Sequence, residues 1–426
     1  MEPTSLITSR LVSGLSGSEI LKITYSIQQL IAAGKKISNF TVGDFNPNEF
    51  PIPDLLRNYI QQAYAHGNTN YPPAMGTLEL RKAVTQFIRH TYSIDYQAEE
   101  VLIAAGARPL IYTTFLGIID PGETVLYAVP SWNTPYYCYL SNARPAPLKT
   151  DSQNGFLLTP DSLKPHISKA NLLVLNSPSN PTGTMFSSAQ LAAICELILA
   201  ENQTRIAQGK KPLYLLYDQM YATLTFGYTH THPVAVYSEM FDYTIYIDGI
   251  SKSMAATGVR VGWLTAPKSL VAVFSNLLMH IGAWAPKPEQ IATANFLNHP
   301  TVFQSFTEQL SARLAQRLQK IHQAFITWKS LGLPVDSIAP QGAMYLSVQF
   351  AIIGYQKPDG SILETNQAIA DFMLHEAQCG FVPFQAFGVI ENEGWFRLSV
   401  GGVTDSEIEQ ALRLIPSALQ TLNSKS

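Results

Sequence analysis

A lysine followed eight positions later by an arginine stands in the stretch D-G-I-S-K-S-M-A-A-T-G-V-R-V-G-W, from Asp248 to Trp263. The run Tyr243 to Ile247 alternates β-branched and aromatic residues and predicts a strand. That strand ends in Asp-Gly, and Lys252 follows in a turn of small polar residues. A lysine at the end of a buried strand loses hydration, which disfavours its ammonium form and prepares the amine to attack a carbonyl. Arg260, between Gly258 and Gly262, can hold an anion nearby. Amine and anion holder together point to a carbonyl cofactor carrying a phosphate. A surface lysine and an unrelated salt-bridge arginine share the same spacing, so the pair needs company from elsewhere in the chain.

Four other places offer it. Gly106-Ala107-Arg108-Pro109 follows the predicted strand Val101 to Ala105 and opens an apolar helix that runs through Ile119. Proline is tolerated in a first helical turn, and small residues there let backbone amides approach a phosphate that the helix dipole favours. A plain strand-to-helix turn needs small residues too, and neither a P-loop nor a dinucleotide fingerprint is present. Trp132 lies just past the strand Thr124 to Val129, where open parallel sheets bind ligands. The strand Leu172 to Leu175 runs into Asn176-Ser177-Pro178-Ser179-Asn180-Pro181-Thr182-Gly183, which holds Asn180 rigidly between Ser179 and Pro181. Leu213 to Tyr217 is a strand ending at Asp218, with Tyr221 three residues on. An aspartate there is costly unless a cation pairs with it. Thr229-His230-Thr231-His232 has no acidic or cysteine partner nearby and reads as a solvated loop, so no metal is expected.

The elements that must position these groups alternate strand, turn and helix. This predicts an α/β fold with a mostly parallel sheet and helices on both faces, plus a smaller α+β domain. Val261 to Ala266 is a further strand, with an antiparallel course open to it close behind the lysine turn. Residues 11 to 34 carry apolar residues, Ile20 among them, at mostly helical spacing. Helices are also expected over Leu55 to Tyr64, Leu78 to His90, Ser188 to Ala200 and Val302 to Trp328. Gly342 to Phe350, Phe381 to Phe384 and Trp395 to Val400 read as strands of the smaller domain. Thr404-Asp405-Ser406-Glu407 is a capping box that starts the last helix. The expected division is an arm over 1–50 that belongs partly to the small domain, a large domain over 51–287 and a small domain over 288–426. A chain of 426 residues is long enough for two cores. Only 14% of residues are charged, against roughly 25% in an average soluble protein, and that leaves surface to bury between subunits. A net charge of −3 gives no electrostatic reason for nucleic acid or an anionic membrane as partner. Cys138, Cys195 and Cys379 read as buried thiols of a reducing compartment. The N-terminus lacks a signal-peptide pattern and no apolar run spans a membrane, so the cytoplasm is expected.

In order along the chain, Tyr71, Gly106-Ala107-Arg108, Trp132, Asn180-Pro181, Asp218 with Tyr221, Lys252, Arg260 and Arg397 resemble the fold type I pyridoxal-phosphate aminotransferases. The motifs N-S-P-S-N-P-T-G, D-x-x-Y, S-K-x7-R-x-G and F-R-L-S carry the resemblance, from Val42-Gly43-Asp44 to Arg397-Leu398-Ser399. It implies that Lys252 forms the internal Schiff base and shuttles the substrate's proton, while Asp218 pairs with the pyridinium nitrogen. Asn180 and Tyr221 would bond the phenolic oxygen, and Trp132 would stack on the ring. Ala107, Arg108, Ser251 and Arg260 would serve the phosphate, with Tyr71 reaching in from the partner of a homodimer. Arg397 and the backbone at Gly43 would receive the substrate α-carboxylate, with Asn180 and Trp132 beside them. In this family a serine often stands three residues before the lysine. Gly249 there, with Arg108 where a lysine faces the distal carboxylate, resembles a group of bacterial aspartate aminotransferases. Aspartate or glutamate with a 2-oxo acid, in a ping-pong reaction, is the implied chemistry. Arg108 serves either the substrate side chain or the phosphate. Aromatic or prephenate-type substrates are the alternative, as is a lyase on the same cofactor.

Overall fold

The computed structural model describes residues 8–15, 17 and 19–423. Residues 1–7, most of the segment read as lacking a leader, lie outside it, as does the side chain of Ile20. Seven strands form the central sheet, in the order Val101–Ala104, Gly262–Thr265, Thr244–Gly249, Tyr214–Asp218, Leu172–Asn176, Thr124–Val129 and Arg144–Lys149. Only Gly262–Thr265 runs antiparallel to its neighbours, as its place close behind the lysine segment allows. The parallel strands are apolar on both sides because helices cover both faces. Their register sets Asn176 beside Asp218, and Asp218 beside Ile247. The Asn180 loop, the Asp218 loop and the Lys252 segment therefore leave the sheet at one edge, outside the strands' carboxyl ends.

The strand Arg144–Lys149 was not expected from R-P-A-P-L-K. Its two prolines cannot donate to a ladder, and it forms because it pairs on one side only, at the sheet edge. The periodic run over 11–34 divides into Arg10–Ser13 and Glu19–Ala32. The break falls at Gly14, where a Cβ would come within 2.0 Å of the Tyr139 hydroxyl. Lys252 sits in a short helix, Ile250–Ser253, that directly follows its strand, where a turn was expected. The loop at 229–232 is also different from its reading. His232 is buried against Tyr246 and stacks on Tyr92, and His230 stacks on Tyr217. Burial drives the pKa of both imidazoles down, so they are neutral members of an aromatic layer behind the sheet. No cluster of metal-binding residues occurs among the described residues.

The long helix Pro300–Ser330 leads to a four-stranded antiparallel sheet, ordered Val382–Pro383, Trp395–Ser399, Tyr345–Phe350 and Val335–Ser337. Arg397 lies in the middle of this sheet, paired with Val382 on one side and Ser347 on the other. The N-terminal arm joins the same unit, because Ser38–Asn39 pairs in parallel with Cys379–Gly380. Beyond it, Asn46 donates to the Gly401 carbonyl at 2.9 Å. Buried Arg317 of the long helix binds Glu49 and Asp405 and donates to the carbonyls of Val400 and Val403. Residues 42–46 are thus drawn across the mouth of the large sheet as a strap anchored on the small one.

Candidate active site

A cavity of about 700 Å³ opens between the carboxyl edge of the large sheet, the strap and the Arg397 strand. Lys252 Nζ donates to the Gly43 carbonyl at 2.7 Å and lies near the rings of Phe45 and Tyr221. Burial pulls its amine down to about 8; Arg397, Arg260 and Arg108 add to the shift, and Asp44 opposes it. An amine so placed is uncharged in a useful fraction near neutrality, which is what a nucleophile toward a carbonyl requires.

Asp218 ends its strand with one hydrogen bond to its carboxylate, from Met220 N–H at 3.1 Å. Burial raises its pKa to about 6, with the Met220 bond acting against the rise. Such a carboxylate gains most from a cation that faces it directly. The Tyr221 hydroxyl meets the Tyr345 hydroxyl at 2.8 Å. Asn180 is fixed by its own N–H, which donates to Asn176 Oδ1 at 2.6 Å. Asn180 Oδ1 accepts from Arg397 Nη1 at 3.1 Å, joining the two sheets across the site. Arg397 is buried between the rings of Tyr345 and Phe387, donates to Thr41 O, and keeps an unpaired Nε. A buried guanidinium with an unclaimed N–H is prepared for a carboxylate.

The anion pocket is built from backbone. Gly106, at φ +84°, lets the chain turn into the helix Ala107–Ile118, and a Cβ there would lie 2.2 Å from Arg260 Nη2. Arg260 is held by the carbonyls of Thr257 and Ala105, at 2.7 Å each. Gly249, which stands where many of the family carry serine, has a steric reason. A Cβ would come within 2.8 Å of Gly262 Cα and the Val261 carbonyl. Arg108 lies over the Trp132 ring at 4.8 Å and has no hydrogen-bond or ion-pair partner among the described residues.

Of the predicted residues, Gly43, Ala107, Arg108, Trp132, Asn180, Asp218, Tyr221, Ser251, Lys252, Arg260 and Arg397 all line this cavity. Tyr71 does not. It is 83% exposed and packs edge-on against Trp284 at the surface. Asp44, Thr257 and Phe387 also line the cavity, as does Thr24 of the N-terminal helix, and none was singled out from sequence. Asp44 adjoins Gly43 in the V-G-D segment, the one local cue; Thr24 has no cue in spacing or composition. Gln219 is buried with its amide oxygen 3.1 Å from His230 Nε2 and its nitrogen 3.5 Å from Asp248.

The family Aminotransferase class I and II matches residues 35–415, and the chain belongs to it. It is therefore a transaminase of the class that works with pyridoxal 5′-phosphate, acting on amino acids and 2-oxo acids. Among its relatives, the aspartate aminotransferase of Rhizobium meliloti (strain 1021) is 26% identical over 417 residues, 97% of this chain and 96% of the relative. The probable aspartate/prephenate aminotransferase of Aquifex aeolicus is 25% identical, covering 96% and 98%. A crystal structure of the Rhizobium meliloti aspartate aminotransferase superposes with a TM-score of 0.88 at 25% identity, covering 98% and 99%. The donors present suit the cofactor: a backbone cradle that a Cβ would fill, an arginine fixed beside it, and a carboxylate with no ion-pair partner among the described residues.

The lysine amine gives the first test. In the cofactor-free chain, methylation of Lys252 by formaldehyde and a mild reductant should reach half its limiting rate near pH 8, well below exposed lysines. A Lys252 profile that coincides with theirs would show that the amine is not desolvated among these cations.

Proposed function

We propose that the chain exchanges the amino group of a dicarboxylic amino acid, aspartate or glutamate, with a 2-oxo acid in a ping-pong cycle. The observation that carries this reading is Arg108, an unclaimed guanidinium lining the same cavity as Arg397. Arg397 takes the α-carboxylate in a two-pronged bond through its free edge, with the Gly43 backbone closing over it. Arg108, over the Trp132 ring, takes the side-chain carboxylate. A positive group at a helix start opposes the helix dipole, so Arg108 is well placed only when it faces an anion.

Pyridoxal 5′-phosphate, when bound, supplies the electron sink for the charge left at substrate Cα. Ala107 N–H, Ser251 and Arg260 hold its phosphate. Trp132 would pack on the ring, and Asn180 and Tyr221 would bond its phenolic oxygen. Asp218 keeps a proton on the pyridine nitrogen, and that cation removes the cost of burying the carboxylate. Lys252 would be the cofactor's attachment point, and its Nζ would serve as the base and acid that moves the substrate Cα proton.

Exposed Tyr71 has no role inside its own chain, and we read it as the phosphate contact given to a second copy in a homodimer with shared sites. Sedimentation of the active protein as a monomer would contradict that reading. The cytoplasm is the compartment we assign, in keeping with three buried free thiols. No helix among the described residues is long and apolar enough to cross a membrane. The division into an arm over 1–50 and domains over 51–287 and 288–426 is ours as well. The arm's pairing with Cys379–Gly380 supports its place beside the small domain.

A charge-assisted bond of this kind contributes about 1.5–3 kcal/mol. Arg108→Ala should therefore lower kcat/KM for aspartate by about ten- to a hundredfold, with little change for alanine or phenylalanine. Aromatic rings of Trp132, Tyr136 and Phe387 line the same cavity and favour aromatic or prephenate-type substrates as the second reading. Activity toward prephenate and phenylalanine exceeding that toward aspartate would establish it. If all substrates fall equally and the cofactor dissociates, Arg108 serves the phosphate.

A further inference from the structure

Four cations line the cavity, Lys252, Arg108, Arg260 and Arg397, against two carboxylates, Asp218 and Asp44. Asp218 has its task at the far end, at the end of its strand. Asp44 has none in the mechanism above, yet it is the residue next to the Gly43 carbonyl that accepts from Lys252. Its Oδ1 accepts from Thr257 Oγ1 at 2.7 Å and from Phe45 N–H at 2.8 Å. Its Oδ2 takes no hydrogen bond among the described residues, which leaves that oxygen to face the cations lining the cavity.

We propose that Asp44 is a positioning residue for the transamination site: the strap presents its carboxylate, held by Thr257, to keep positive charge on the Lys252 nitrogen. The proposal rests on Lys252 being the reactive lysine. The other groups facing Lys252 are Arg260 from its own loop, Arg108 from the helix start, and Arg397 and Tyr345 from the small sheet. Asp218 and Tyr221 face it from the neighbouring loop. The three guanidiniums drive the proton off, and Asp44 alone stands out as the charge that retains it, consistent with the opposing effects on the amine. Two demands on one nitrogen explain the balance. It must lose a proton to attack, and it must carry one when it acts as the acid that returns a proton to carbon. Thr257, five residues past the lysine, fixes the distance from the large-sheet side.

Two variants separate charge from tethering. Asn at position 44 still accepts from Thr257 and loses only the charge, whereas Thr257→Val loses the bond and leaves the carboxylate. In the cofactor-free chain, Asp44→Asn should move the Lys252 methylation midpoint down by about one pH unit, about a tenfold loss of proton affinity. Removing an anion destabilises the protonated amine, so the shift must be downward. The pH-dependent absorbance of the cofactor-loaded protein should move the same way, and Asp44→Glu should recover most of the shift. Thr257→Val should move either midpoint by less than half as much. An unshifted midpoint in Asp44→Asn, or an equal shift in Thr257→Val, overturns the proposal. Persistence of the pH-dependent absorbance in Lys252→Ala would instead overturn the choice of lysine. The two failures are therefore distinct.

Discussion

Removing one lysine amine from water among three guanidiniums is costly, and the architecture is arranged around that cost. Lys252 has a single hydrogen-bond acceptor among the described residues, the Gly43 carbonyl, and that carbonyl comes from a strap anchored on a different sheet. The amine is reactive because it is desolvated, and it is desolvated because the strap, Tyr345 and Arg397 close over it. Arg397 in turn is buried without a carboxylate, tolerable because Tyr345, Phe387, Asn180 and Thr41 surround it. The site is thus short of negative charge until an anionic cofactor and substrate enter. Binding and the assembly of the reactive state are the same event.

Behind the sheet the polar groups are arranged the opposite way. Asp248 ends the lysine's strand, and burial lifts its pKa to about 8, Gly249 N–H opposing and Asp218 adding to the rise. Burial thus favours its neutral form, whereas Asp218 lines the cavity where a ring nitrogen would sit. Gln219 bridges from Asp248 to His230, itself held neutral by burial. A glutamine suits this place because its amide both donates and accepts without adding charge. The two histidines that looked like a solvated loop are the packing that makes this layer dry.

The large sheet was legible because its strands are short apolar runs that end in turn-forming residues, as at Asp218 and Asn176. Lys252, Asp218, Asn180, Arg260 and Arg397 were legible because their order along the chain is unusual for unrelated reasons. What sequence missed lies where pattern carries no information. Arg144–Lys149 is a strand only through its edge position, which its prolines permit. His232 is buried and His230 half-buried against Tyr92, Tyr217 and Tyr246, residues distant in sequence. Thr24 reaches the cavity only because the arm pairs with Cys379–Gly380. A residue whose role depends on another element's path leaves no local trace.

Borohydride reduction of the cofactor-loaded protein, followed by peptide mapping, tests the central claim directly. Reduction fixes the cofactor to whichever amine holds it. Label confined to the peptide containing Lys252, and lost when free amino-acid substrate has first displaced that amine, is the predicted result. Label on Lys287, which bonds Asn70 at the surface, or spread over several exposed lysines, would contradict it.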